Sequence, residues 1–298
     1  DPFLAEQCSA HAERVLCFCG ICNHWLFSKN PGHDFTRQHL GKLSFYDTMR
    51  LIISMGKGST NDEIMDYFDL DPDLIPSQSA FCQRRRQISL SAFEYLFSEF
   101  SSSFPSTTDK FKDHCILACD GCHVVYATNS DIIEDYNKPR LIDYKGYNHM
   151  HLNGFVDVIS KAFLDVVIQP GQQPDEREAL HSMLDHFTPD DPQKYIITAD
   201  RGYESYDLLF HCELKNLGYV FRVKSPSSPK SILSYYASEL PDDLEEFDVT
   251  IKRFFTDKAT NIMKSQSDVY RYINPSKNTP HFYELLRKNH SHLYFLQF

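Results

Sequence analysis

Two aspartates in matching surroundings carry the chemistry of this chain. Cys115-Ile-Leu-Ala-Cys-Asp120-Gly-Cys122 and Tyr195-Ile-Ile-Thr-Ala-Asp200-Arg-Gly-Tyr203 each end a short apolar run on a carboxylate, and a glycine follows within two residues. An acid delivered by a strand into a tight turn is aimed, not merely solvated. Two such acids held side by side and dry each cost several kcal/mol unless a divalent cation or a shared proton lies between them. The chemistry that most often uses the pair is two-metal phosphoryl transfer, in which hard oxygen ligands select Mg²⁺ or Mn²⁺. A plainer reading, two turn aspartates capping backbone amides, fits the same residues.

The elements that must position these acids follow from apolar spacing. Strands are expected at Ile116–Asp120, His123–Ala127, Leu152–Ile159 and Phe163–Gln169, the last two forming a hairpin around Ser160-Lys161. A helix from Pro174 to Phe187 has acids in its first turn and Ala179, Leu180, Met183, Leu184 and Phe187 on one face. It leads into the strand ending at Asp200, then a helix from Tyr206 to Asn216 stopped by Gly218, then a strand from Tyr219 to Lys224. A run of strands, then helix, strand, helix, strand, is the ribonuclease H-like order. In that layout the first and fourth strands lie parallel and adjacent, so Asp120 and Asp200 would meet at a strand-end crevice of the kind where open sheets place ligands.

Before this region the chain reads as helical. Leu43 to Met55 has apolar residues at Leu43, Tyr46, Met49 and Ile53, with Ser44 and Asp47 set as a capping box. Thr60 and Glu63 are expected to cap a helix through Phe68, and Ser77 opens another that carries Arg84, Arg85 and Arg86. Short helices around tight turns can form a helix-turn-helix-like DNA-binding unit, against the alternative of an ordinary helical subdomain with a solvated arginine face. Ser101 to Thr108 is a linker by composition. The expected organisation is therefore a helical, DNA-binding domain over 1–108, an RNase H-like core over 109–225, and the start of a β-rich insertion with a tail over 226–298.

Composition narrows the class. Of 298 residues, 42% are hydrophobic and 24% charged, with 17 Tyr and 23 Phe, as in a globular protein with sheet content. The formal net charge of -11 argues against a generic nucleic-acid coat, so DNA contact has to rest on local basic clusters. Such clusters are present in residues 29–60 (Lys29, Arg37, Lys42, Arg50, Lys57) and in the arginine triplet, while acidity gathers between Glu239 and Asp248. Nine cysteines, clumped as Cys17, Cys19, Cys22 and Cys115, Cys119, Cys122, do not resemble a disulfide framework and point to a reducing cytoplasm. The spacing of Cys17, Cys19, Cys22 and His24 is compressed for zinc and favours buried thiols. Cys119 and Cys122 bracket a strand end instead of opening a helix, which disfavours a redox pair. Val15 to Phe27 is too short and too polar for a membrane span or signal peptide. The first residue is Asp1, not Met, so upstream sequence is expected.

Several motifs occur together in a familiar order: Asp120-Gly, Leu152-Asn-Gly-Phe-Val-Asp157, Asp175-Glu-Arg-Glu178, Thr198-Ala-Asp-Arg-Gly-Tyr203 and Tyr219-Val-Phe-Arg-Val-Lys224. From about Leu43 to Leu285 the chain resembles the IS-four family of bacterial insertion-sequence transposases, enzymes of the DDE type. The resemblance implies an RNase H-like core with an Asp, Asp, Glu triad, a helical DNA-binding region and a β-rich insertion between the second Asp and the Glu. Carried over, Asp120 and Asp200 are the catalytic residues and metal ligands for Mg²⁺ or Mn²⁺. Arg201, Tyr203, Arg222 and Lys224 become neighbours that steer the DNA backbone, alongside Arg84, Arg85 and Arg86. Implied partners are double-stranded DNA, as transposon ends and target, and further copies of the chain on that DNA, in the bacterial cytoplasm at the nucleoid and with no membrane. The family's Glu lies in a Tyr-x-x-Arg-x-x-x-Glu pattern after the insertion, but Tyr283 is followed by Leu286. A C-terminally truncated member that lacks the third acid is therefore expected, and Glu284 as a substitute third ligand is the disfavoured alternative. A catalytically impaired DNA-binding derivative that inhibits transposition, or a metal-dependent nuclease, remains as an alternative.

Overall fold

The computed structural model describes residues 43–103, 110–139, 145–241, 248–257, 260–274, 280–288 and 293–297. Cys17, Cys19, Cys22, His24, the run from Val15 to Phe27, and Lys29, Arg37 and Lys42 lie outside the described residues. The chain divides into two compact units, Asp1–Pro105 and Ser106–Phe298.

The first unit is helical: α1 (Phe45–Ser54), α2 (Thr60–Tyr67), α3 (Gln78–Gln87) and α4 (Leu90–Ser103). Ser44 caps α1, and the Asp47 side chain bonds back to the Ser44 backbone, which completes the expected capping box. The buried face of α1 is Phe45, Thr48, Met49 and Leu51, while Ile53 is exposed, so the stripe is rotated from the sequence expectation. Phe45 and Met49 pack on Ile88, Ala92 and Leu96, and Leu51 packs on Ile64 and Phe81. The cap of α2 is a correction: Ser59, not Thr60, accepts from Asp62 N. Glu63 instead accepts from the amides of Gly56 and Gly58 at 2.9 and 2.7 Å, which ties the turn between the helices. Ser77 caps α3, and Ile88, in an extended conformation, separates it from α4. Helix α4 continues through Ser103, into what composition marks as linker.

The second unit is a mixed α/β fold. Its larger sheet contains β1 (Cys115–Tyr126), β2 (Tyr136–Asn137), β3 (Tyr147–Asp157), β4 (Phe163–Pro170), β5 (Tyr195–Ala199) and β6 (Gly218–Phe221), in the order β2-β3-β1-β5-β6, with β4 also on β3. β1 pairs antiparallel with β3 and parallel with β5, and β5 pairs parallel with β6. Parallel neighbours need a crossover, which α5 (Glu176–His186) and α6 (Tyr206–Leu214) supply. The two strands expected over 116–127 are one: β1 runs through Gly121 without a break. The β3–β4 hairpin closes as expected, with Lys161 in the left-handed region at φ 63° and Asp157 Oδ1 accepting from the amides of Ile159 and Ser160. The stop of α6 is a second correction. Asn216, at φ 55°, ends the helix, and Gly218 begins β6.

Period-two alternation points Leu117, Cys119, Phe155, Ile197 and Ala199 to one side, where Ala179, Leu180, Met183 and Leu184 of α5 and Leu208 and Cys212 of α6 cover them. Each of the larger side chains there contributes about 1.5–3 kcal/mol of hydrophobic stabilisation. Leu180→Ala, at a fully buried position, would remove about 2–5 kcal/mol. A smaller sheet of β7 (Thr250–Thr256), β8 (Tyr270–Tyr272) and β9 (Leu293–Gln297) follows, ordered β8-β7-β9, with the short helix α7 (Asn261–Ser265) before β8 and α8 (Pro280–Lys288) before β9. Ile251, Phe255, Ile273 and Phe282 of this region pack on Leu209 and Phe210 of α6.

Candidate active site beside the parallel strands

The β1–β5 register fixes the central geometry. Its last pair is Cys119↔Ala199, so Asp120 and Asp200 are the next residues on two adjacent strands about 5 Å apart. There the strands part: β1 goes on to Tyr126 against β3, whereas β5 ends and Asp200 enters a turn. Asp120 is thus not at a strand end, as expected from sequence, but beside the gap left by its departing neighbour. Both acids are exposed. Asp200 Oδ1 accepts from Gly202 N at 2.7 Å and Asp120 Oδ1 from Gly121 N at 2.9 Å, which leaves their other oxygens for a ligand.

Helix α5 brings a third acid that sequence reading missed. Asp175 caps the helix by accepting from Arg177 N and Glu178 N, which places Glu176 at its first position. A Cβ on Gly202 would lie 2.8 Å from Glu176 Oε2 and 2.9 Å from Asp200 Oδ1, so those carboxylates are within about 6 Å of each other, close enough to share ions. A side chain at Gly202 would push these carboxylates from their present positions. Arg177 locks the contact by donating Nε–H to Gly202 O at 3.2 Å. Burial first, and then the charges of Asp120 and Glu176, push the Cys119 thiol up to about 12. The Tyr203 hydroxyl is raised by burial and by the same two acids among other neighbours. Asp120 and Glu176 therefore act on the same two side chains below them.

His151 completes the surroundings. It is buried, with Nε2 3.4 Å from Glu176 Oε1 but not aligned for a hydrogen bond, so neither ring nitrogen has a hydrogen-bond partner. A Cβ on Gly121 would collide with this ring, which explains the glycine after Asp120. The only sequence signal for Glu176 was its place in Asp175-Glu-Arg-Glu178, where an acid in a first helical turn is already accounted for by the helix dipole.

Residues 111–291 match the family model described as a transposase DDE domain. The chain belongs to that family. No curated protein matches it. A DDE transposase domain acts on DNA and depends on divalent metal, and three neighbouring carboxylates are a fitting hard-oxygen set for such an ion. Among the described residues, no helix is long and apolar enough to cross a membrane.

The other expected site residues of this DDE transposase chain are dispersed in role. Arg201 and Arg222 are exposed on the loops after β5 and β6. Tyr203, expected at the DNA backbone, is instead fully buried, with its hydroxyl 3.5 Å from Asn153 Oδ1. Lys224 is engaged within the protein: Nζ donates to Arg201 O at 2.8 Å and lies 3.3 Å from Glu204 Oε2. In the helical unit Arg85 and Arg86 are exposed, whereas Arg84 is half-buried and reaches Gln87 at 3.4 Å. Glu284 is exposed on α8. Cys119 is buried and Cys122 exposed, three positions apart on one strand and so on opposite faces, which removes the redox-pair reading.

Proposed function

We propose that this chain binds the ends of an insertion sequence and cuts and joins DNA strands there, using Asp120, Asp200 and Glu176 to hold Mg²⁺ or Mn²⁺. The observation that carries the reading is the parallel β1–β5 register, which ends one residue before both aspartates. The strand order, with β1 between an antiparallel and a parallel neighbour, supports an RNase H-like core, and the five motifs support the IS-four group.

When bound, the divalent ions activate a water or 3′-hydroxyl and stabilise the leaving oxygen of an in-line displacement at phosphorus. The protein's part is to present ligands already in place. Asp200 is held by Gly202 N and Glu176 by the first turn of α5, so neither has to reorganise on ion binding. Arg201, next to Asp200 in sequence, and Arg222, whose amide donates to Ala199 O at 3.0 Å, are exposed and attract the phosphate backbone, and Arg84, Arg85 and Arg86 add contacts from the helical unit. Cutting two ends calls for more than one copy on the DNA, in the bacterial cytoplasm at the nucleoid.

The test is cleavage of DNA with and without the element's ends, by the purified chain with Mn²⁺, beside Asp120→Asn and Asp200→Asn. Cutting confined to the ends and lost in both variants is expected. Equal cutting of both DNAs would make the chain a general nuclease. Binding of the ends without cutting would make it a DNA-binding derivative and overturn the catalytic assignment.

A further inference from the structure

Next to the carboxylates, and separate from them, three histidines from three helices converge: His181 of α5, His211 of α6 and His281 of α8. One donor atom from each lies within 4.8 Å of the other two. We infer that these imidazoles form a binding site for a borderline divalent ion of the Zn²⁺ class.

The carboxylates around the cluster decide which nitrogens are free. His211 Nε2 faces Asp185 Oδ1 at 3.2 Å, His281 Nδ1 faces Asp207 Oδ2 at 2.8 Å, and His181 Nε2 faces Asp207 Oδ2 at 3.4 Å. The 2.8 Å contact is a hydrogen bond, so His281 Nδ1 carries the proton and its Nε2 keeps the lone pair. Nδ1 of His181 and Nδ1 of His211 face each other at 2.9 Å, where one proton between them makes a hydrogen bond and where a metal ion would take its place. Two nitrogens on one tetrahedral ion with bonds of about 2.0–2.1 Å lie about 3.3–3.4 Å apart, so a shift of a few tenths of an ångström lets both rings hold one ion. The carboxylate–histidine pairs are then the outer contacts that such ligands usually have.

Access and ligand type agree. A cleft of about 660 Å³, whose lining includes Glu176, Gly202, His181, Asp207 and His281, opens to the cluster. The rings are stacked within 10° to 18° of parallel, so ion binding requires modest rotation of His281, whose Nε2 points away from Asp207. Imidazole donors favour Zn²⁺ over Mg²⁺, whereas the Asp120, Asp200 and Glu176 oxygens favour the reverse, so the two sites would sort different ions. The site would fasten α8 to α5 and α6, adding to the Asp207 carboxylate that already accepts from His281 N and Phe282 N.

The experiment is a Co²⁺ titration of the full chelator-stripped chain, followed by visible absorption, with Zn²⁺ and Mg²⁺ as competitors. A saturable d–d spectrum at one equivalent, displaced by Zn²⁺ and not by millimolar Mg²⁺, is expected. It should disappear in His181→Gln and His281→Gln and persist in Asp120→Asn/Asp200→Asn. Asp185→Asn, at a largely exposed carboxylate, should keep the circular dichroism of the wild type and bind about tenfold more weakly. No saturable spectrum, or one unchanged in the histidine variants, would overturn the inference. A spectrum lost only in the double aspartate variant would also overturn it while leaving the carboxylate site standing.

Discussion

Glu176 Oε2 and Asp200 Oδ1 flank the same point above Gly202, at 2.8 and 2.9 Å from where a Cβ would sit. One arrives from the first turn of a crossover helix and the other from the end of the strand that follows it. The helix-to-turn contact, anchored by Arg177 on Gly202 O, sets their spacing.

Glu176→Gln separates a metal-holding role from helix capping. It keeps the shape of the side chain and removes the charge. Metal-dependent cleavage should fall about 10²–10³-fold, as for loss of one preorganised electrostatic contact, while DNA affinity stays within twofold. If the acid serves only the helix dipole, the cost is about 0.3–1 kcal/mol of stability and the rate is unchanged. Single-turnover cleavage beside a thermal melt distinguishes the two.

Arg85 and Arg86 are the exposed members of the basic triplet, and Arg84 is partly occupied by Gln87. Replacing Arg85 and Arg86 with alanine should flatten the dependence of log K on log salt by about 0.9 per lost phosphate contact. Arg84→Ala should change it less. Fluorescence anisotropy over a salt series measures this, and an unaltered slope in the double variant would make the triplet a solvated face.

Glu204 is fully buried with Lys224 as its ion partner, and its oxygens accept from Ile232 N, Lys224 N and the Ser231 hydroxyl. Burial alone would raise its carboxyl; the combined donors hold it below the usual range instead. Glu204→Ala leaves these donors without an acceptor and should destabilise the second unit by about 3–5 kcal/mol. Urea denaturation followed by tryptophan-independent circular dichroism measures it, and a loss below about 1 kcal/mol would show that water replaces the carboxylate.

The histidine cluster makes stability depend on acid. In the unfolded chain His181 and His211 titrate near 6.5, but in the fold burial first, and then neighbouring histidines, lower them to about 4 and about 3. Between those values the unfolded state binds protons that the native state refuses, so stability is full above pH 7 and falls as pH drops toward 4. The slope approaches about 1.4 kcal/mol per pH unit for each histidine. Urea midpoints at pH 7.5 and 5.5 in chelator should differ more for wild type than for His211→Asn; equal differences would show that His211 is not held neutral.

What sequence alone determined is local. Ser44 and Ser77 announce helix starts because a cap is a hydrogen bond across two or three residues, and the turn after Asp157 is likewise a matter of neighbours. Asp120 and Asp200 were legible because each closes an apolar run whose period and length mark a strand. The neighbour of Asp200 was not legible. Glu176 precedes it by a helix and a strand, and only the way α5 packs on the sheet turns that acid toward Gly202. The same holds for Tyr203, which looks accessible after a turn glycine and is instead buried, and for Lys224, whose charge is taken up by Glu204 twenty residues earlier. It holds most of all for His181, His211 and His281, on three separate helices. Backbone torsion and short hydrogen bonds are written into adjacent residues, whereas register, crossover packing and the meeting of distant side chains exist only once the chain has closed on itself.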